Sequence, residues 1–469
     1  MRTPVLLIDF GSTFTKVTAV DCAIPSIIGR AQSPTTATSD IAHGMNDAIR
    51  RLIESTGRPE LGQAARLASS SAAGGLRLVV CGLVPRLTSE AARRAALGAG
   101  AKVVGVYSYT LSTGDIAGIT ALAPDILLLA GGTDGGESRV VLGNARALAA
   151  SGVSCPVVVA TNRSVADDVE RILKAGGKDA RRVDNVMPEF GRLEVEPARR
   201  AIRDVFIERI VTAKGLEGVQ RTLERPIIPT PMAVLQGTEI LAKGHGDDAG
   251  LGDVLLVDVG GATTDVDSVA RGDPTDPSVL SRGLPEPYAK RTVEGDLGIR
   301  FNASHILEMA GENALLEHAG IADGAKQQGL DVAGHVAALG RKVDTLPADE
   351  AAHRLDTALA RSAVEYAVAR HAGTIEFVHL ADGDVAVQRG KDLRNVKYVV
   401  GTGGILAYGR NPRYILEGAC FSGRDPFSLR PKAPQMLIDS LYVFYAMGLL
   451  AETAPAVAVR LQKKSLTAA

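Results

Sequence analysis

At 469 residues the chain exceeds one ordinary domain, so two or more lobes are expected, each long enough to bury a core. Lysine plus arginine number 52 against 53 for aspartate plus glutamate, and tryptophan is absent, which argues against nucleic acid or an anionic membrane as partner. Cys22, Cys81, Cys155 and Cys420 are scattered, so neither a zinc site nor a disulfide framework is signalled, and a cytoplasmic location is expected.

The chain opens with PVLLIDFGSTFTKVTAV. Val5 to Ile8 read as a buried strand, Asp9 stands at its end, Gly11 allows a tight turn, and Ser12, Thr13 and Thr15 supply hydroxyls. The apolar run is broken by Asp9 and lacks a cleavage pattern, so it reads as a strand and not a signal peptide. A third strand to about Arg30 and a helix capped by Asp40 follow.

Beyond the small-residue run at 69–75, strand and helix signals alternate: LRLVVCG, a helix with Thr88 or Ser89 as its cap, KVVGVYSY, ILLLAGG, a helix near 139–150, PVVVATN, and VADDVERILKAG. Such alternation argues a parallel sheet covered by helices. Within it AGGTDGGE, residues 130–137, is either an anion or metal loop using Asp134 and Glu137, or a tight strand-to-helix connection. The helix PARRAIRDVFIERIVTAKG has apolar residues at helical spacing and its arginines toward solvent. Pro229 and Pro231 then mark the start of the next helix.

GDVLLVDVGGATTDVDSV, residues 252–269, repeats the opening plan. Val254 to Val257 form the strand, Asp258 ends it, Gly260 and Gly261 make the turn, and Thr263 and Thr264 follow. A strand that delivers an acid into a glycine turn with hydroxyls behind it suits a polyphosphate and its Mg²⁺: backbone N–H groups approach the oxygens and the carboxylate holds the metal through water. Residues 310–370 read as helical, and Met436 to Ala451 carry apolar residues in helical register. No uncharged run reaches the roughly 18 residues of a membrane span, and LQKKSLTAA is too short and mild to hold a membrane alone.

The two hairpins resemble the phosphate motifs of the actin, sugar-kinase and DnaK-type (ASKHA) superfamily. Its adenosine motif resembles YVVGTGGILAYG, with Gly401, Gly403 and Gly404 after a strand. Within the superfamily the chain is most similar to the MutL, or GlmL, family associated with glutamate mutase. The phrases GLVPRLTSEAARRAALGAGAKV, PDILLLAGGTDGG, PTPMAVLQGTEIL, VDVGGATTDVDSV and RTVEGDLGIR carry that resemblance over nearly the whole length.

The resemblance implies an α/β fold of two ribonuclease-H-like lobes around a nucleotide cleft, with an inserted α/β module. The core would occupy 1–99 and 216–469 and the module 100–215. It implies ATP and Mg²⁺ as ligands, with Asp9 and Asp258 holding the metal and serving catalysis. Gly11, Ser12, Thr13, Thr15, Gly260, Gly261, Thr263 and Thr264 would grip phosphates, and Gly401, Gly403 and Gly404 would lie beneath the adenosine. Lys16 lies where actin has a phosphate-contacting lysine; the other reading is a strand-end lysine facing solvent. Glu294 and Asp296 either charge-stabilise a helix start or reach the metal.

One position departs from the DnaK pattern: Ile228 stands where a water-orienting glutamate precedes the proline and threonine. Turnover is then slow, uses another acid such as Asp265 or Asp9, or is absent. The implied role is an ATP-dependent accessory protein that reactivates an adenosylcobalamin-dependent mutase or aminomutase. Rival readings are a small-molecule kinase, a filament-forming or scaffold actin relative, and an iron–sulphur activator, which needs grouped cysteines. Self-association and a small second subunit both stay open.

Overall fold

A computed structural model describes residues 4–11, 14–36, 40–71, 76–213, 216–321, 331–381 and 383–469. The chain divides into two compact units, one of Met1–Gln236, Gly283–Pro285 and Tyr445–Val457, the other of Gly237–Arg282, Glu286–Phe444 and Ala458–Ala469.

The first unit holds two sheets. In the mixed one the strands run Ser26–Pro34, Phe14–Asp21, Val5–Phe10, Ala65–Ser70, Ile228–Pro229 across the sheet. Val5–Phe10 is central, antiparallel to Phe14–Asp21 and parallel to Ala65–Ser70. A strand flanked on both edges and covered on both faces needs apolar side chains in both directions. Val5, Leu6, Leu7 and Ile8 meet that need and are wholly buried. Helix Ile41–Thr56 turns Ile41, Met45, Ala48, Ile49 and Leu52 inward, the stripe of an amphipathic helix. Asp40 caps it as expected, accepting from the Ala42 N–H.

The second sheet of this unit is wholly parallel: Lys102–Ser108, Arg77–Gly82, Ile126–Gly131, Val157–Thr161, Ala180–Arg182. In chain order this is 2-1-3-4-5, a doubly wound arrangement, as the alternating strand and helix signals predict. Arg77–Gly82 is its first strand, so a module boundary at residue 100 would separate it from Lys102–Ser108, its neighbour in the sheet. The helix Thr88–Gly98 is not capped by Thr88 or Ser89: the Thr88 hydroxyl instead accepts from the N–H groups of Leu83 and Val84 and closes the preceding loop.

The largest sheet of the second unit, beside a three-stranded and a two-stranded one, is ordered Ala289–Glu294, Thr264–Val269, Val254–Val259, Tyr398–Thr402, Gln435–Asp439, Leu466–Ala468. Numbered along the chain, its first five strands take the order 3-2-1-4-5, with the second antiparallel to the first and the fourth parallel to it. The mixed sheet of the first unit has the same order and the same directions. Two such sheets are the ribonuclease-H-like pair the sequence predicts, and the fold is α/β with two lobes.

Two local expectations differ from the structure. Gln435–Asp439 is a strand, with the helix starting only at Phe444, because Leu437 and Ile438 pair beside the central strands. Leu466–Ala468, in the tail considered as a membrane anchor, closes the sheet edge against Gln435–Asp439. Among the described residues no helix is long and apolar enough to cross a membrane.

Candidate functional site

In the first unit the site is built around Asp9. Register places it directly opposite Lys16 on one side and Ser69 on the other, so all three side chains leave the same face. Its Oδ1 accepts from the Thr230 hydroxyl at 2.6 Å and the Ser69 hydroxyl at 3.1 Å, and its Oδ2 lies 3.5 Å from Lys16 Nζ. Thr230 arrives because Ile228–Pro229 pairs with Ser69 and Ser70, bringing the start of helix Thr230–Lys243 onto the strand ends. Asp9 is 2% exposed, a carboxylate held by two hydroxyls and an ammonium at the end of a dry strand.

Lys16 also stands over the Tyr445 ring, 5.8 Å from its centroid, so it is drawn into this group and not released to solvent. Gly11 is the tight point of the hairpin: its N–H bonds the Phe14 carbonyl, and a Cβ there would fall 2.6 Å from that oxygen. Thr15 is buried and its hydroxyl is 3.1 Å from that of Thr35, which in turn donates to the Gly11 carbonyl. Thr15 thus braces the turn. Ser12 and Thr13 lie outside the described residues.

In the second unit Asp258 ends the central strand opposite Asp265 and Thr402. Gly403, at φ 100°, abuts it: a Cβ there would sit 2.9 Å from Asp258 Oδ1 and closer still to the Val259 carbonyl oxygen. The structure therefore brings the acid and the third glycine motif together. Gly401 is buried beneath Leu406 and Leu416, while Gly404 opens the short helix Gly404–Tyr408 and faces free space.

Gly260 closes the hairpin through its N–H to the Thr263 carbonyl, and the Gly261 carbonyl accepts from Arg300 and Phe301. Segment 295–302 wraps this turn, with Asn302 donating to Ala262 and Gly295. Thr263 donates to Asp265, and Thr264 is buried with its hydroxyl on the Leu297 carbonyl. Asp265 is held by the buried Arg291 at 2.5 Å, which commits that acid to structure and leaves it badly placed to activate water. Glu294 and Asp296 both accept from Arg370, in the last turn of helix Glu350–His371, an ion pair that neither of their two readings names.

Three residues of the site escape reading from sequence. Ser69 and Thr230 are 60 and 221 residues from Asp9; the serine run and the Pro229–Thr230 pair were the available signals. Asp439 is the third. Its Oδ2 accepts from Thr402 and from the N–H groups of Val443 and Phe444, while its Oδ1 is buried without a partner among the described residues. Burial raises the carboxyl from an ordinary 3.8 to about 6, against the pull of those donors.

Between pH 3.8 and about 6 the folded chain keeps a proton on Asp439 that the unfolded chain has released. Stability from this group is therefore present below that window and withdrawn as pH rises through it, by roughly 3 kcal/mol in all. Asp439→Asn keeps an acceptor for the three donors and carries no charge. Its melting temperature is expected to gain on the parent's as pH rises from about 4 to about 7. A constant offset across that range would show that the carboxyl titrates normally.

AGGTDGGE is a connection whose acids are already engaged. Glu137 accepts from the Val140 N–H and caps helix Arg139–Ala149; Asp134 accepts from the Arg163 N–H and Asn185 Nδ2. Asn162 grips the glycines, taking the Gly135 N–H and donating to the Gly136 carbonyl. Among the described residues no three His, Cys, Asp or Glu gather as a metal cage. A magnesium that rides on phosphates asks less: it keeps most of its waters and takes one or two carboxylates. Asp9 and Asp258 suit that duty, each at a strand end beside a turn without room for a Cβ.

The family described as MutL protein matches residues 5–466. Protein MutL of Clostridium tetanomorphum is 45% identical over 461 residues, 98% of either chain. Among solved structures, a glycerol dehydratase reactivase is 11% identical with a TM-score of 0.34, over 96% of this chain and 99% of its own. The activator of the 2-hydroxyisocaproyl-CoA dehydratase from Clostridium difficile, with bound ADPNP, is 11% identical with a TM-score of 0.30, over 99% and 97%. Gluconate kinase from Lactobacillus acidophilus is 11% identical with a TM-score of 0.34, over 100% and 93%. The sequence match is what decides, since it takes in both acid-tipped hairpins and Gly403 and runs on to the last strand: this chain belongs to the MutL protein family.

Proposed function

We propose that the protein binds Mg²⁺–ATP through its two hairpins, hydrolyses it slowly, and serves in the cytoplasm as an accessory protein to an adenosylcobalamin-dependent mutase such as glutamate mutase. The observation that supports this most is the repetition. Two sheets of identical order each end their central strand on an acid, Asp9 or Asp258, and turn at once through glycine.

In this reading magnesium supplies positive charge to the outer phosphates. The rest falls to the chain. Asp9 and Asp258 accept hydrogen bonds from metal-held water, and Lys16 adds a cation on the phosphate side. Gly11, Gly260 and Gly261 let backbone N–H groups close on the oxygens, and Gly403 lets the chain pass beneath the nucleoside. Thr230 and Ser69 hold Asp9 in one rotamer, which fixes where its free lone pairs aim.

Slow turnover follows from Ile228. This side chain is buried and apolar at the place where a water-orienting acid would stand, and Asp265 is engaged with Arg291. A nucleotide that persists on the protein suits a switch that changes affinity for a partner and is reset by hydrolysis. The partner's damaged cobalamin would leave during that change and a fresh cofactor enter.

The test pairs the purified protein with an adenosylcobalamin-dependent mutase from the same organism. After inactivation with hydroxocobalamin, mutase activity is expected to return only with this protein, ATP, Mg²⁺ and fresh adenosylcobalamin together. Absence of recovery under every nucleotide condition would sink the accessory role. Phosphoryl transfer to a small molecule in place of simple hydrolysis would favour a kinase.

A further inference from the structure

Within the first unit lies a cavity of about 240 Å³, too small for a nucleotide and large enough for one small metabolite. Leu67, Pro226, Ile228 and Leu449 give it an apolar wall, and Arg203, Arg225 and Glu452 supply its charges. Two of those charges are engaged with each other. Arg225 donates to Glu452 Oε2 at 2.6 Å, and Gln236 Nε2 donates to Oε1 at 2.9 Å, so the carboxylate is held at both oxygens.

Arg203 differs. It stands half-buried on helix Glu196–Ala213 and makes no hydrogen bond or ion pair with another described residue, whereas Arg199 on the same helix is tied to Glu196 and to the Gly98 carbonyl. A guanidinium cannot lose its proton, so a partly desolvated one gains from an anion that fits its planar fork. With two arginines against one glutamate, the lining carries a single positive charge in excess, set beside apolar surface.

We infer that this cavity binds a small monocarboxylic acid: its carboxylate pairs with Arg203, and its hydrocarbon body lies along Ile228 and Leu449. One negative charge balances the lining. A dicarboxylate or a phosphate dianion would bring a second charge against an Arg225 already engaged by Glu452, and phosphate has no apolar surface to offer the wall. An uncharged amide of the same shape would keep the apolar contacts and lose the ion pair. The position also bears on Asp9. Ala68, on the lining, directly precedes Ser69, and Ile228 stands two residues before Thr230, so an occupant rests against both chain segments whose hydroxyls hold Asp9 Oδ1.

The test is calorimetric titration of the full chain with a panel of straight and branched short-chain monocarboxylates, their amides, the matching dicarboxylates and inorganic phosphate. At least one monocarboxylate is expected to bind with Kd below about 1 mM, and its amide, its dicarboxylate and phosphate to bind at least about tenfold more weakly. Arg203→Gln should weaken binding about tenfold or more while melting like the parent, and Arg203→Lys should restore part of it. The inference is overturned if no monocarboxylate binds, if the amide, the dicarboxylate or phosphate binds equally well, or if Arg203→Gln binds as the parent does. Because the analogue series uses the unaltered protein, it decides the matter even where a variant folds poorly. Nucleotide is absent throughout, so the outcome stands apart from the Mg²⁺–ATP reading.

Discussion

On the proposed Mg²⁺–ATP reading, Asp9→Asn is expected to lower ATP turnover by about 100-fold or more while leaving the protein folded. The reason lies in how the carboxylate is divided. Oδ1 serves the fold, taking the Thr230 and Ser69 hydroxyls, and an asparagine oxygen can take both. Oδ2 faces Lys16 at 3.5 Å, and there the substitution places an NH₂ group against an ammonium. Lys16 retains some solvent access, so it can turn away and the structural cost stays near 1 kcal/mol. What is lost is the negative charge on which, in the proposed reading, a hydrated magnesium would depend. Alanine would be a poorer probe, because it strands the buried Ser69 hydroxyl and the half-buried Thr230 hydroxyl as well. Calorimetry with Mg²⁺–ATP and a phosphate-release assay measure the effect. Unchanged nucleotide affinity and turnover in a folded Asp9→Asn protein would remove this acid from the site.

The second large effect is at Gly403. Its φ of 100° is a region that side chains rarely enter, and its neighbours leave no room, with Asp258 Oδ1 2.9 Å from where a Cβ would be. Gly403→Ala must move the Asp258 carboxylate, the Val259 carbonyl or the whole turn. The expected cost is about 2–4 kcal/mol, read as a melting temperature lower by roughly 5–15 °C for the second unit. Gly404→Ala is the control one residue on. Nothing lies within 4 Å of its added carbon and its φ is ordinary, so it should melt like the parent. Equal melting of the two variants would show that the close approach to Asp258 is not real.

The parts of the fold that sequence reveals are those in which one short stretch carries its own instructions. Val5 to Ile8 is apolar in every position because both its faces are covered, and Gly11 follows because the hairpin turns onto the Phe14 carbonyl. Asp258 and its glycines read the same way. Partners brought together by topology do not show. Ser69 and Thr230 reach Asp9 only after a parallel pairing and a return of the chain from residue 228, which the serine run and the Pro229–Thr230 pair do not by themselves foretell.

Periodicity also has a blind spot. Helix Thr113–Leu122 buries little besides Ile119, so no apolar stripe announces it; its only signal is the capping box of Ser112 and Asp115. Gln435–Asp439 has the opposite fault, because a short apolar run fits a strand and a helix alike, and pairing with Tyr398–Thr402 decides it. The acids of AGGTDGGE look like ligands in sequence because their true partners, Val140, Arg163 and Asn185, are set by the loop's fold.

The division of the chain has a practical bearing on how the protein can be made and cut. The first unit draws on three separate stretches, the last being Tyr445–Val457, and the second unit resumes after it at Ala458. Neither half can therefore be cloned as one uninterrupted gene fragment. A ribosome must have released Val457 before the first unit has all its parts, so early translation products cannot mature half by half, and rearranged or co-expressed pieces would be needed to obtain either alone.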